Sequence, residues 1–362
     1  MILFRVNVAP SVGLGHLMRC RTLAAELIRR GERCTLFGPD PARWRIEGDE
    51  ALFDEWVEGP PGAADPDPKK PFVDVEADAR AFVAMAQRLG VTVAVMDDYR
   101  ISEPYQLILR EGGLRWLMQY DASNKPFYHG DFVVNGSPYE TPGGLKPFIR
   151  NPDAVLLLGP EYSVLRPAFA DAPLQPVERP LRRVFVSFGG GDDKGAVRMT
   201  LDALADAHAD LEFVVMSGLG NPNNAALKAW VEDGHSQRVS LHINPPDVPG
   251  LMASCDLAIT GGGTMTSEAA YCGLPMLLMA LADNQIHQCQ GWENRGGAIY
   301  LGRYEPANAL GGGEVSGEQI AEVFAALKAD DARRIEMSRA GRHMVDGNGV
   351  QRLADHILGA RR

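Results

Sequence analysis

Three glycine-rich turns and one histidine carry the chemical signal of this sequence. The first turn, Gly13-Leu14-Gly15-His16-Leu17-Met18-Arg19, follows an apolar run and opens a helical pattern. His16 falls at the start of that helix, where unpaired N–H groups and the positive helix end disfavour an imidazolium. A neutral ring there can accept a proton from water, which is general-base chemistry. The alternative is a structural histidine hydrogen-bonded to a loop. Met18 occupies the place where the dinucleotide fingerprint wants glycine or alanine, so no nicotinamide or flavin cofactor is expected.

The second turn, Phe188-Gly189-Gly190-Gly191-Asp192-Asp193, again lies between a strand pattern and a helix pattern. Its glycines let the backbone approach a phosphate, and the helix start supplies N–H donors. Asp192 and Asp193 are read either as ligand contacts or as caps of that helix. The third turn is Thr260-Gly261-Gly262-Gly263-Thr264, with Glu268 one helical turn on. Phosphate oxygens over residues 262–264 and ribose hydroxyls on Glu268 form the chemical reading; a first-turn acid favoured by the helix dipole is the bland one. Asp283-Asn284-Gln285 follows the next strand, with amides suited to a sugar or, for Asp283 or Asn284, to a helix cap.

Asp97-Asp98-Tyr99 ends a further strand pattern. Paired acids invite a metal, but no histidine or third acid lies nearby and no His-x-x-x-His spacing occurs, so no metal is expected. A Gly-x-Ser-x-Gly elbow and a P-loop are both missing. Five cysteines, odd in number and never spaced Cys-x-x-Cys, argue against a disulfide framework and suit a reducing cytoplasm.

These residues need elements to hold them. The chain has 362 residues, which at roughly 150 per domain suggests two domains. Apolar runs at 2–8, 33–37, 91–96, 114–120, 132–135 and 154–158, then at 183–188, 211–216, 239–243, 256–260, 274–279 and 298–301, read as strands. Most are continuous rather than alternating, as in parallel sheets covered on both faces. Helix patterns at 15–30, 194–208, 225–233, 264–272, 285–294 and 317–328 lie between them. The proline-rich stretch 166–182 separates a first domain, 1–165, from a second, 183–362, and 59–71 reads as a loop. The expected fold class is α/β: two doubly wound, Rossmann-like parallel-sheet domains facing a central cleft.

With 36 Lys and Arg against 47 Asp and Glu, the net charge is −11, so neither nucleic acid nor an anionic membrane is an expected partner. The longest apolar run, 274–282, is interrupted by Pro275 and falls short of the ~20 residues of a membrane span. Arg5 stands where a signal peptide would have its apolar centre. A cytoplasmic monomer or weak homodimer is expected.

Taken together, the turn at 13–19, Leu-Leu-Gly-Pro-Glu-Tyr-Ser-Val-Leu-Arg-Pro at 157–167, Phe-Gly-Gly-Gly-Asp at 188–192, the 256–268 run with Gly273-Leu274-Pro275, and Asn284-Gln285 resemble a known family. The resemblance is to the GT-B superfamily and, within it, to the UDP-sugar hydrolases of pseudaminic acid biosynthesis, relatives of MurG-like glycosyltransferases. It runs along nearly the whole chain in order. It implies a GT-B fold and a UDP-sugar substrate, a diacetamido-trideoxy hexose, cleaved with inversion by water that His16 activates. It also implies UDP on Gly190, Gly191, Gly262, Gly263, Thr264 and Glu268, with Asn284 and Gln285 on the sugar side. Gly13, Gly15, Arg19 and Tyr99 are expected to touch substrate, and Asp97 or Asp98 to orient His16. No cofactor is implied.

Two departures bear on the sugar or acceptor. The family usually reads Asp-His-Tyr where this chain has Asp97-Asp98-Tyr99, and Asp-Asp where it has Tyr120-Asp121. An inverting glycosyltransferase with a hydroxyl acceptor is the alternative, and a non-catalytic nucleotide-sugar-binding module the second.

Overall fold

Apolar runs without a polar face are stable only as strands covered on both sides, and the chain folds them into two all-parallel sheets. The computed structural model describes residues 1–8, 15–60, 74–98, 100–119, 127–170, 172–306 and 315–360. Gly13, Tyr99, Tyr120, Asp121 and most of the 59–71 stretch lie outside them. The first sheet comprises β1 (Ile2–Val6), β2 (Cys34–Gly38), β3 (Glu55–Glu58), β4 (Val93–Asp97), β5 (Arg115–Gln119), β6 (Phe132–Asn135) and β7 (Val155–Leu158). The second comprises β8 (Arg183–Ser187), β9 (Glu212–Ser217), β10 (Val239–Ile243), β11 (Leu257–Gly261), β12 (Met276–Ala280) and β13 (Ala298–Arg303). Their orders are β3-β2-β1-β4-β5-β6-β7 and β10-β9-β8-β11-β12-β13, the doubly wound pattern.

Two units emerge: Met1–Pro167 with Gly347–Arg362, and Ala168–Asp346. In the first, the strand period of two sorts the side chains. Ile2, Phe4, Val6, Val93 and Val95 pack with Leu17, Cys20, Leu23, Ala24 and Leu27 of the helix Gly15–Arg29. Leu3, Ala94 and Met96 face the helices Val75–Leu89 and Glu103–Glu111 instead. The helix Gly15–Arg29 ends where Gly31 takes a left-handed φ of 87° and returns its N–H to Ile28 O. In the second unit, Val184, Val186 and Ile259 pack with Val197, Leu201 and Leu204 of the helix Ala196–Leu204 and with Ile320 and Phe324 of the helix Gly317–Ala329.

The helices Val75–Leu89, Glu103–Glu111, Asp331–Met344 and Gly349–Gly359 are absent from the sequence expectation, and two features bear on the architecture. The strand β3 has no run of apolar residues: it is Glu-Trp-Val-Glu, an edge strand that buries Trp56 on one face and packs Val57 partly on the other. The last helix, Gly349–Gly359, joins the first unit rather than the second. Leu353, Ala354 and Ile357 enter the core beside the helix Gly15–Arg29, and Gly349 sits so close to Ser163 that a Cβ would lie 2.2 Å from its carbonyl oxygen. A helical stripe reveals that a face is buried, not which sheet buries it.

Leu353→Ala removes a side chain only 1% exposed and is expected to cost about 2–5 kcal/mol. Hydrogen exchange should then quicken in β1, β2 and β4 while β8–β13 keep their protection. Quickening confined to β8–β13 would return the last helix to the second unit.

Candidate functional site

Sheet order turns back between β1 and β4 in one unit and between β8 and β11 in the other. Ligands of doubly wound sheets bind beyond the carboxyl ends of the strands at such switch points, and the chemistry-bearing residues gather there in both units.

In the first unit β4 ends on Asp97, and His16 is the second residue of the helix Gly15–Arg29. His16 Nδ1 lies 2.5 Å from Asp97 Oδ1, and both side chains are about 95% buried. A carboxylate only accepts, so Nδ1 bears the proton and Nε2 is the ring nitrogen left to exchange a proton with a ligand. Arg19, one turn along, donates from Nε to Asp97 Oδ2 at 3.0 Å and from Nη2 to Oδ1 at 2.9 Å, a bidentate clamp. Its Nη2 is 3.2 Å from His16 Nδ1. Burial pushes the Asp97 carboxyl up, but the charges of Arg19 and then His16 outweigh this and hold it at about 2. Asp97 is thus an anion fixed against both partners. The arrangement can orient an imidazole and stabilise its cation after proton transfer.

Asp98, the other candidate for that role, is engaged elsewhere. Its carboxylate takes Arg100 Nε and Nη2, each at 3.1 Å, and the Arg100 backbone N–H at 2.9 Å. Arg5 Nη1 lies 3.4 Å from it on the β1 side. Of the pair, Asp97 is therefore the one that meets His16. Arg19, expected to touch substrate, holds Asp97 through Nε and Nη2, and Gly15 is the first residue of the helix.

In the second unit the turn after β8 leaves Gly190 and Gly191 exposed and gives Gly189 a φ of 103°. The turn after β9 is mated to it: a Cβ on Gly218 would lie 2.3 Å from Gly190 O and 2.4 Å from its Cα. Asp192 and Asp193 do not cap the next helix, which starts behind Gly195. Each accepts a backbone N–H two residues on, and Asn223 Nδ2 donates to Asp193 Oδ1 at 2.5 Å. Lys194 sits at a φ of 54° and donates from Nζ to Leu281 O at 2.7 Å.

After β11, Gly262 is packed so tightly that a Cβ would lie 2.6 Å from Cys289 Sγ, whereas Gly263 faces open space beside exposed Thr264. Thr266 Oγ1 donates to Gly263 O at 2.8 Å, which sets the turn, and Glu268 is half-buried in the first turn of the helix Met265–Cys272. Gln285 Oε1 accepts Leu281 N–H at 3.0 Å, so this amide braces its own turn, while Asn284 is exposed. Neither Asp283 nor Asn284 caps the helix Ile286–Asn294.

Sequence reasoning missed three contributors. Arg5 was visible as one charge in an apolar strand, Lys194 as the one cation of its turn, and Gly218 as half of a Gly-Leu-Gly triplet. Among the described residues no group of three His, Cys, Asp or Glu could hold a metal ion, and no helix is long and apolar enough to cross a membrane.

No family model matches the chain. The uncharacterized protein MJ1062 of Methanocaldococcus jannaschii is 25% identical over an alignment of 199 residues that covers 52% of this chain. The chain spans 40% of the length of that relative. Likeness to solved structures runs the whole length. MurG of Acinetobacter baumannii superposes with a TM-score of 0.68 at 15% identity, covering 99% of both chains. A UGT transferase from Siraitia grosvenorii in complex with UDP gives 0.63 at 13%, covering 99% of this chain and 100% of that one. A UDP-N-acetylglucosamine 2-epimerase gives 0.60 at 12%, covering 99% and 96%. The fold is that of the GT-B glycosyltransferases.

The Asp97 shift sets a pH dependence. The folded carboxyl ionises near 2 and an unfolded one near about 3.9, so its contribution is full above about pH 4 and is lost as the pH falls toward 2. Asp97→Asn is expected to cost roughly 2 kcal/mol near neutral pH. In denaturant titrations the gap to wild type should close between about pH 4 and 2. A constant gap would mean that the Asp97 charge is not held by the cluster.

Proposed function

We propose that this chain is an enzyme that cleaves the anomeric carbon–oxygen bond of a UDP-sugar and transfers the sugar, with inversion, to a hydroxyl acceptor. The observation that supports it most is the 2.5 Å contact of His16 with Asp97 at the switch point of the first sheet. In this reading His16 Nε2 takes the acceptor proton as its oxygen attacks the anomeric carbon. The bond to the diphosphate breaks, and UDP departs with the electron pair. Asp97 offsets the imidazolium that forms. The second unit holds the nucleotide: N–H groups around Gly190, Gly191, Gly262, Gly263 and Thr264 meet the diphosphate, and Glu268 accepts from the ribose. Asn284 faces the sugar. MurG and the UGT transferase among the structural neighbours favour transfer over hydrolysis.

One observation favours a second reading, in which water replaces the acceptor. The motifs at 13–19, 157–167, 188–192 and 284–285 follow the order of the pseudaminic-type UDP-sugar hydrolases. Partitioning of product separates the two. Purified protein is supplied with UDP-N-acetylglucosamine or with the UDP-diacetamido-trideoxy hexose, in EDTA, and UDP release is followed before and after addition of sugar and lipid alcohols. Release that needs an alcohol is the expected result. Release at about 1 s⁻¹ or faster without one makes the protein a hydrolase. No release with UDP still bound would make it a binding module, and no binding of UDP would overturn the reading altogether.

A further inference from the structure

Beneath the acid–base pair lies a second set of charges that the proposed reaction does not use. Arg5, next to last in β1, is fully buried, a rare place for arginine. Its guanidinium lies 3.4 Å from Asp98 and 3.4 Å from Asp78 of the helix Val75–Leu89, and donates to Val6 O at 2.8 Å. Tyr105, from the helix Glu103–Glu111, donates to Asp78 Oδ1 at 2.9 Å. Arg100 closes the set on Asp98. Two guanidinium groups balance two carboxylates, all of them at least 95% buried.

We propose that this charge cage positions Asp97 for His16, so that Arg5, Asp98 and Arg100 are positioning residues of the acid–base pair. The inference rests on the reading of that pair given above. Its ground is the alternation of the strand. Val93 and Val95 face the helix that bears His16, and Ala94 and Met96 face the opposite layer. Continuing the period, Asp97 turns to His16 and Arg19, and Asp98 turns to Arg5. Arg5 pairs with Met96 in the sheet and Val6 with Asp97, so the cage grips the chain directly at the base's partner. Past β4, the N–H of Asn7 donates to Asp97 O at 3.4 Å, and Asp98 folds the chain back onto Arg100. A slip of one residue here would put Asp98 before His16 and Asp97 in the core.

The cage is charged as drawn. Burial opposes the Arg5 guanidinium, but Asp98 and then Asp78 outweigh it and hold its pKa above the ordinary value. Burial likewise opposes the Asp98 carboxylate, and Arg5 and Arg100 reverse that, lowering its pKa.

The test uses the full chain and two readouts. The His16 Nδ1 proton, hydrogen-bonded at 2.5 Å, should give a proton resonance downfield of the amides, assigned by its loss in His16→Asn. In Asp98→Asn and Arg5→Met that resonance is expected to shift upfield or vanish. With turnover measured on the UDP-sugar, kcat should fall about tenfold to a hundredfold and KM stay within about twofold. Arg5→Lys should restore part of both. If those variants do not fold, Tyr105→Phe loosens only the Asp78 end and is expected to shift the resonance less. A wild-type resonance in folded Asp98→Asn, or in Tyr105→Phe where that variant is needed, overturns the proposal. If wild type turns over no UDP-sugar, the acid–base reading fails by itself, and the resonance still decides whether the cage positions Asp97.

Discussion

A buried carboxylate costs several kcal/mol unless cations and donors surround it, and the end of β4 has two in succession. The strand period sends them to opposite faces, so each needs its own partners. Asp98 finds them inward, in Arg5 and Arg100, on the side away from His16. Asp97 finds them in His16 and Arg19, both on the first turns of the next layer's helix. That helix must therefore begin where it does, with His16 over the strand end. The core below, with Leu17, Cys20, Leu23, Ala24 and Leu27 against β1 and β4, fixes its height and rotation. Arg19 shares Asp97 with His16, and its charge helps keep the carboxylate ionised.

The second unit solves a different problem at its own switch point. Its turns are cleared of side chains, which suits the diphosphate proposed for them, since backbone N–H groups are what such a group needs. Gly190 against Gly218, and Gly262 against Cys289, are approaches that a Cβ would forbid. The acids of these turns serve the backbone, with Asp192 and Asp193 each accepting from an N–H two residues on. Lys194 and Gln285 converge on Leu281, one on its carbonyl and one on its N–H, and so tie the turn after β12 to the turn after β8.

Much of this was legible in the residues themselves. Runs such as Val-Ala-Val-Met before Asp97 and Leu-Ala-Ile-Thr before Gly261 announce two-sided parallel strands, and the glycine turns follow them directly. β3 was not legible, because an edge strand with glutamates at both ends has almost no apolar signal. The partner of the last helix was not legible either, since Leu353 and Ile357 would suit any apolar sheet. The choice between Asp97 and Asp98 depended on strand parity at a boundary, and a shift of one residue in that boundary reverses it. Arg19 reads as a substrate contact in the sequence because a helix-start arginine near glycines is one way anions are bound; its clamp on Asp97 depends on a residue 78 positions away and is visible only in the fold.

The proposed chemistry needs His16 as the base. The direct measurement is kcat for wild type and His16→Asn on the UDP-sugar that wild type consumes, with both proteins confirmed folded and UDP affinity measured beside it. The expected result is a kcat lower by about 10²–10⁴-fold with UDP affinity unchanged. A folded His16→Asn that keeps most of the wild-type kcat would contradict the account and remove His16 from the chemistry.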